Sequence, residues 1–188
     1  MKCQTRVKSP HKTSDLKQYS PKIKSSYLDW YFCDYESEEY PIRDVTSLGK
    51  YEPHYEDGTF NACKSCNQRF LNKALKDGVS YIFFFTRYRG FDKKYRKKYF
   101  ITGFFEIGKT FNVHEKKSIR KAVKASRLKF FKISDACELS TIINRKIHNG
   151  RHAPKRLDEI NTKKILKHFS KKKDQTKKFI SFTQLKQN

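Results

Sequence analysis

Two aromatic runs separated by a basic loop constrain this chain more than any other feature. The first, Tyr81-Ile82-Phe83-Phe84-Phe85-Thr86, follows an Asp77-Gly78 turn. The second, Tyr99-Phe100-Ile101-Thr102-Gly103-Phe104-Phe105-Glu106-Ile107, follows a stretch rich in Lys and Arg from Arg87 to Lys98. Runs of Phe, Tyr and Ile bounded by turn residues read as strands. Successive strand residues point to opposite faces, so an uninterrupted apolar run predicts a strand covered on both sides. Two such strands around one polar loop predict an antiparallel hairpin. Gly103 marks a bend or a close backbone approach within it.

This hairpin predicts the core of a small β-rich domain of the α+β class, with the remaining elements covering it or extending from it as basic arms. A chain of 188 residues is long enough for one domain with a core plus terminal arms. The expected division is a flexible basic arm over 1–26, a domain over 27–169 and a Lys-rich C-terminal tail over 170–188. Aromatic residues make up 15% of the chain, which argues against wholesale disorder. The longest uninterrupted apolar run is Tyr81–Phe85, far short of the ~20 residues that span a bilayer, so no membrane is expected.

Net charge narrows the partner. At +24 the folded chain repels itself unless a polyanion or counterions gather around it. Nucleic acid, DNA or RNA, is the first expectation, because neutralised phosphates release condensed counterions whatever the base sequence. A Lys-rich surface without a specific partner is the alternative. The charge is uneven. Between Tyr27 and Phe60, Asp29, Asp34, Glu36, Glu38, Glu39, Asp44, Glu52, Glu56 and Asp57 face only Arg43 and Lys50, a net of −7, which leaves +31 for the rest.

Along the chain, Tyr27–Cys33 reads as a strand and 35–60 as a long ordered loop punctuated by Pro41, Gly49, Pro53 and Gly58. A short turn or helix is expected over 61–72. Ile119, Ala122, Val123 and Ser126 recur at helical spacing, predicting a helix over 114–127. A third strand is expected over 128–133, then a helix carrying Ala136, Leu139, Ile142, Ile143 and Ile147. A basic turn at 151–156 precedes a final helix, capped by Asn161 or Thr162, that runs to Phe169. Phe179–Phe182 reads as a late strand. No internal repeat is present.

Five cysteines without an apolar leader in Met1–Lys24 suggest a reducing, intracellular setting, cytoplasmic or nuclear. Cys63-x-x-Cys66 has the spacing of two adjacent vertices of a tetrahedral zinc site, with Cys33 and His54 as the remaining candidate ligands. Two ordinary buried thiols are the competing reading. No catalytic residue is assigned, since the chain lacks a phosphate-binding Gly-rich loop, a His-Glu-x-x-His and a Gly-x-Ser-x-Gly. The alternative function is a metal-dependent enzyme that processes nucleotides or nucleic acid with the acidic segment 29–57, drawing on Asp44, Glu56, Asp57 or Glu106.

Cations interleaved with aromatics suit nucleic acid, because cations take phosphates while ring faces stack on bases. Arg87, Arg89, Lys93, Lys94, Arg96, Lys97 and Lys98, interleaved with Tyr88, Phe91, Tyr95 and Tyr99, are expected to hold phosphates together with Arg151, Lys155 and Arg156. Trp30, Tyr31, Tyr51 or Tyr55 would face a modified or flipped-out base beside Asp44. For Trp30 a core position is the competing reading.

The order Asp44, Gly49, Pro53, Gly58, Ala62-Cys63-Lys64, Arg69, Lys76-Asp77-Gly78 before an apolar strand resembles the nucleotide modification associated domain proteins. More broadly, the turn into an aromatic strand followed by Phe100–Ile107 looks like the PUA-like group that includes EVE, ASCH and YTH domains. The likeness covers about Asp44 to Ile107, with Ser65 where the family carries proline and Asp77-Gly78 in place of Gly-Asp. It implies a small β-barrel with flanking helices, associated with modified nucleotides, and it adds Lys64 to the base pocket beside Asp44, with Cys63 matched between them.

Overall fold

The computed structural model describes residues 17–18, 26–30, 55–61, 66–88, 92–115, 118–143 and 155–185. Its strands are β1 (Lys17–Gln18), β2 (Ser26–Trp30), β3 (Thr59–Asn61), β4 (Tyr81–Arg87), β5 (Tyr99–Glu115), β6 (Ser118–Phe130), β7 (Cys137–Glu138) and β8 (Lys155–Leu157). Its helices are α1 (Cys66–Lys76), α2 (Glu159–Ser170) and α3 (Thr176–Leu185). All eight strands belong to one sheet of order β3-β6-β5-β4-β2-β8, with β1 and β7 paired to stretches of β5. Among the described residues only the β2–β4 pair is parallel. The sheet curls into a half-barrel, which makes the fold α+β and barrel-like. Register breaks between Phe84 and Phe85 and between Glu106 and Lys109 supply local twist where the sheet bends.

The expected β4–β5 hairpin forms, and its apolar run has a direct cause. Ile82 and Phe84 enter a core lined by Leu71, Ala74 and Leu75 of α1 and Phe179 of α3. Phe83 and Phe85 enter a second core lined by Ile165 and Phe169 of α2. The strand is thus buried on both faces. Phe130 and Phe131 repeat this division at the end of β6: Phe130 stacks on Phe179 at 4.0 Å and Phe131 on Phe169 at 4.0 Å. Two consecutive residues therefore anchor helices on opposite sides of the sheet.

The turn into β4 also forms as expected. The Val79 N–H donates to the Ala74 carbonyl and that of Gly78 to Leu75, both at 3.2 Å, closing α1 in a Schellman arrangement. Gly78 takes the left-handed φ of 72° that this closure requires.

Several expected elements differ. The helix expected over 114–127 is the β5–β6 hairpin instead. Its spacing misleads because Ala122 and Val123 point to opposite faces, Ala122 to Phe111 and Val113, and Val123 into the α1/α3 core. The strand expected over 128–133 stops at Phe130, and the next residues form a 3-10 turn at Ile133–Asp135. In place of a helix from Ala136, Cys137 and Glu138 pair with Ile101 and Phe100, followed by a 3-10 turn at Leu139–Thr141. Residues 144–147 of that helix lie outside the described residues, as do 31–33 of the first strand and most of the loop over 35–60.

The cap of α2 is Asp158, whose Oδ1 accepts from the Asn161 N–H at 2.7 Å, rather than Asn161 or Thr162. The late strand is α3, and the segment expected as a tail packs on the sheet through it. The Phe130 N–H donates to Thr176 Oγ1 at 2.9 Å and the Gln175 N–H to the Phe130 carbonyl at 2.8 Å. These bonds satisfy the end of β6 and fix the start of α3 together.

Candidate nucleic-acid interface

The loop between β4 and β5 is held by backbone bonds over its described part. The Tyr88 N–H donates to the Lys98 carbonyl at 2.9 Å and the Lys97 N–H to the Tyr88 carbonyl at 3.3 Å. Asp92 organises the tip. Its carbonyl accepts from the Tyr95 and Arg96 N–H groups at 3.2 and 3.1 Å, and its Oδ1 accepts from the Lys94 N–H at 2.8 Å. The backbone closes through Lys97 at a φ of 65°, a left-handed conformation that costs a side-chain-bearing residue roughly 1–2 kcal/mol.

Beneath the loop Tyr88 is 1% exposed and packs with Phe100, Ile133 and Ala136. Tyr95 meets Tyr88 edge to face at 5.6 Å and Phe100 at 5.7 Å, and Lys94 Nζ lies 5.1 Å from the Tyr95 ring. The loop's described tyrosines therefore serve as its anchor, with Tyr88 buried and Tyr95 half-buried, and not as an open stacking platform. Lys93, Lys94, Arg96 and Lys97 are exposed, and none makes an ion pair among the described residues.

Lys98 and Arg87 differ from these. Lys98 Nζ lies 3.0 Å from Glu138 Oε2, while Ser140 Oγ donates to Glu138 Oε1 at 2.6 Å. The Ser140 bond, helped by Lys98, holds the Glu138 carboxyl below its usual range. Arg87 sits at the mouth of the hairpin with its guanidinium 5.8 Å from the Tyr99 ring.

Of the remaining expected phosphate contacts, the described ones, Lys155 and Arg156, are on β8 and not at this loop. Arg156 reaches Asp77 at 3.3 Å and ties β8 to the end of α1. By register it lies beside Tyr27 and hence level with Ile82, five residues along β4 from Arg87, or about 17 Å. Lys155 is part of β8, one residue nearer. Arg89 and Arg151 lie outside the described residues.

In the expected base pocket, Tyr55 is a correction. It is 2% exposed, and its ring makes edge contacts with Phe84, Phe105, Phe130 and Phe179, so no base reaches its face. Trp30 ends β2, paired beside Phe85. Tyr31, Asp44, Tyr51 and Lys64 lie outside the described residues. So do Cys33, His54 and Cys63 of the expected zinc set, while Cys66 begins α1.

Two carboxylates of the enzyme reading have structural partners. Glu106 Oε2 is 2.9 Å from Arg127 Nε, and its Oε1 accepts from the Tyr81 hydroxyl at 3.4 Å. Burial, reinforced by Glu106, raises the Tyr81 phenol above its ordinary value. Asp57 Oδ1 accepts from the Thr59 N–H at 2.9 Å and hydroxyl at 2.6 Å, closing the turn into β3. Among the described residues no three His, Cys, Asp or Glu side chains gather as a metal site, and no helix is long and apolar enough to cross a membrane.

The final helix expected from the sequence is α2, but its lysines were not among the expected phosphate contacts, although their spacing was present. Lys163, Lys164, Lys167 and Lys171 recur at helical spacing opposite the buried Thr162, Ile165 and Phe169. Comparison of the chain with protein-family models, with curated proteins and with solved structures found no match in any of the three.

Proposed function

We propose that this protein binds nucleic acid, DNA or RNA, through the β4–β5 loop. One observation carries the reading: Lys93, Lys94, Arg96 and Lys97 stand exposed on a hydrogen-bonded, tyrosine-anchored turn without a carboxylate partner among the described residues. A backbone fixed in this way has little freedom left to lose when phosphates bind, so more of the electrostatic gain appears as affinity. The finer reading of the half-barrel is a PUA-like domain, supported by the Asp77-Gly78 turn into β4 and by the β4–β5 hairpin at the centre of the curl. Capture of a modified or flipped-out base by Trp30, Tyr31, Tyr51, Asp44 and Lys64 is the competing form of this reading, which a marked loss of affinity for an abasic strand would favour.

The test is titration of a labelled oligonucleotide across about 50–200 mM salt, with wild type and a Lys93→Glu/Lys94→Glu/Arg96→Glu variant. Wild type is expected to weaken steeply with salt, and the variant's log–log slope should fall by about 2 on a single strand or about 3 on a duplex. Equal slopes for the two proteins, or no binding by wild type at the lowest salt, would overturn the proposal.

A further inference from the structure

The end of the sheet that carries the β4–β5 loop is joined to α2 by one short turn. Ile133 and Ala136, on and just after the turn Ile133–Asp135, pack against Tyr88 and Phe100 beneath the loop. Asp135 faces the helix: its carbonyl lies 2.8 Å from His168 Nε2, and its Oδ1 lies 3.3 Å from Lys172 Nζ. The C-terminal end of α2 is thereby brought beside the loop on a shared support.

From Asp158 to Leu185 the chain carries eight lysines against three carboxylates, and each carboxylate already has a partner. Asp158 caps α2, Glu159 pairs with Lys163 at 2.7 Å, and Asp174 accepts from the Thr176 N–H and hydroxyl at 2.9 and 2.6 Å. Lys164, Lys167, Lys171, Lys173, Lys177 and Lys178 are exposed and make no ion pair among the described residues. Lys164, Lys167 and Lys171 lie three and four residues apart over two helical turns, about 10.5 Å of axis. Three nucleotides of one B-form strand rise about the same distance. Basic residues near a helix C-terminus also complement the helix dipole, but Lys164 stands in the second turn, beyond the reach of that effect.

We propose that α2 and the α2–α3 turn form a second phosphate contact, which together with the loop grips the nucleic-acid backbone without stacking on bases. The inference rests on the nucleic-acid reading above and extends it to a surface and a mode. The mode follows from the described aromatics: around this surface Tyr88, Phe100, Phe131 and Phe169 are buried and Tyr95 and Tyr99 are half-buried, while Phe91 lies outside the described residues. An anionic membrane fits less well. The apolar faces of α2 and α3 point into the protein through Ile165, Phe169 and Phe179, and Ile160 is the one exposed large hydrophobic among the described residues.

The experiment uses the full chain, a labelled single-stranded oligonucleotide and an abasic strand of the same length. The Lys164→Glu/Lys167→Glu/Lys171→Glu variant is expected to retain the wild-type melting temperature and to lower the salt slope by about 2. Its Lys→Gln counterpart removes the same cations without adding negative charge, and it replaces the Glu variant if that one misfolds. The abasic strand is expected to bind within about threefold of the normal strand, since one stacked base is worth at least about fivefold. An unchanged slope in the α2 variants, with the loop variant still impaired, overturns the α2 contact and leaves the loop reading standing. An abasic strand bound more than about fivefold more weakly overturns the backbone-only mode. Tighter binding to phosphatidylserine vesicles than to either strand overturns the choice of partner, and failure of wild type to bind any strand overturns the nucleic-acid reading itself.

Discussion

The hydroxyl of Tyr55 occupies the space in which a side chain on residue 103 would begin. A Cβ built on Gly103 would collide with that hydroxyl and would lie 2.6 Å from the Lys129 carbonyl oxygen on β6. The carbonyl is backbone and cannot withdraw as a flexible side chain would. Gly103→Ala should therefore cost on the order of 1–3 kcal/mol, the range for overpacking a filled core. Denaturant titration of the two proteins checks it; unchanged stability would mean that Tyr55 is not seated over this glycine.

Phe179 links α3 to the rest of the protein. It is fully buried, stacks on Phe130 and meets the Tyr55 ring edge to face at 5.5 Å. Truncation to alanine should destabilise by about 3–5 kcal/mol and lower the melting temperature on the order of 10 °C. Lys178→Ala, next to it and exposed, should change little. Thermal melts of both variants compare the two positions directly.

Lys97 sets charge against backbone strain. Lys97→Gly removes the penalty of a left-handed φ and should raise stability by up to about 1 kcal/mol, while Lys97→Ala keeps the penalty and should not. Both remove the same cation, so both should weaken oligonucleotide binding to a similar degree. Melting curves and binding titrations on the same two variants separate the effects.

Glu138 should leave a mark on the acid side of the stability profile. Its carboxyl is held below the ordinary 4.5 by the Ser140 hydrogen bond and by Lys98. A depressed folded value contributes stability above the unfolded pKa and loses it as pH falls through the folded one. The melting temperature of wild type should thus exceed that of Glu138→Gln by a constant margin above about pH 5 and lose the margin on acidification. A margin that grows toward low pH would contradict the sign.

Much of the central hairpin was legible because its signal is local. Phe83 and Phe84 sit side by side in the chain and must leave a strand on opposite faces, so the run itself announces cover on both sides. The Asp77-Gly78 turn and the basic loop were readable for the same reason: their backbone and charge requirements lie within a few residues. Local spacing was ambiguous at Ile119, Ala122 and Val123, which fit a helical stripe. There the pairing of β6 with β5 from Gly103 to Glu115 decided for strand. It was misleading at Phe179–Phe182, where a β-like run forms a helix because Phe130, far away in sequence, donates to the Thr176 hydroxyl and stacks on Phe179, fixing the helix start.

The candidate site divides along the same line. The sequence by itself determined that a concentrated positive charge had to be presented on a β-hairpin, since neither charge nor turn chemistry depends on distant contacts. Tertiary structure decided which rings face outward. It buried Tyr88 and Tyr55, half-buried Tyr95, tied Arg156 to Asp77, and tied the C-terminal end of α2 through Asp135 to the turn beneath the loop. An aromatic side chain gains more from burial than a sequence can register until its neighbours are known. A lysine stays at the surface in either case, and only the packing of the elements beneath it determines which other lysines it joins.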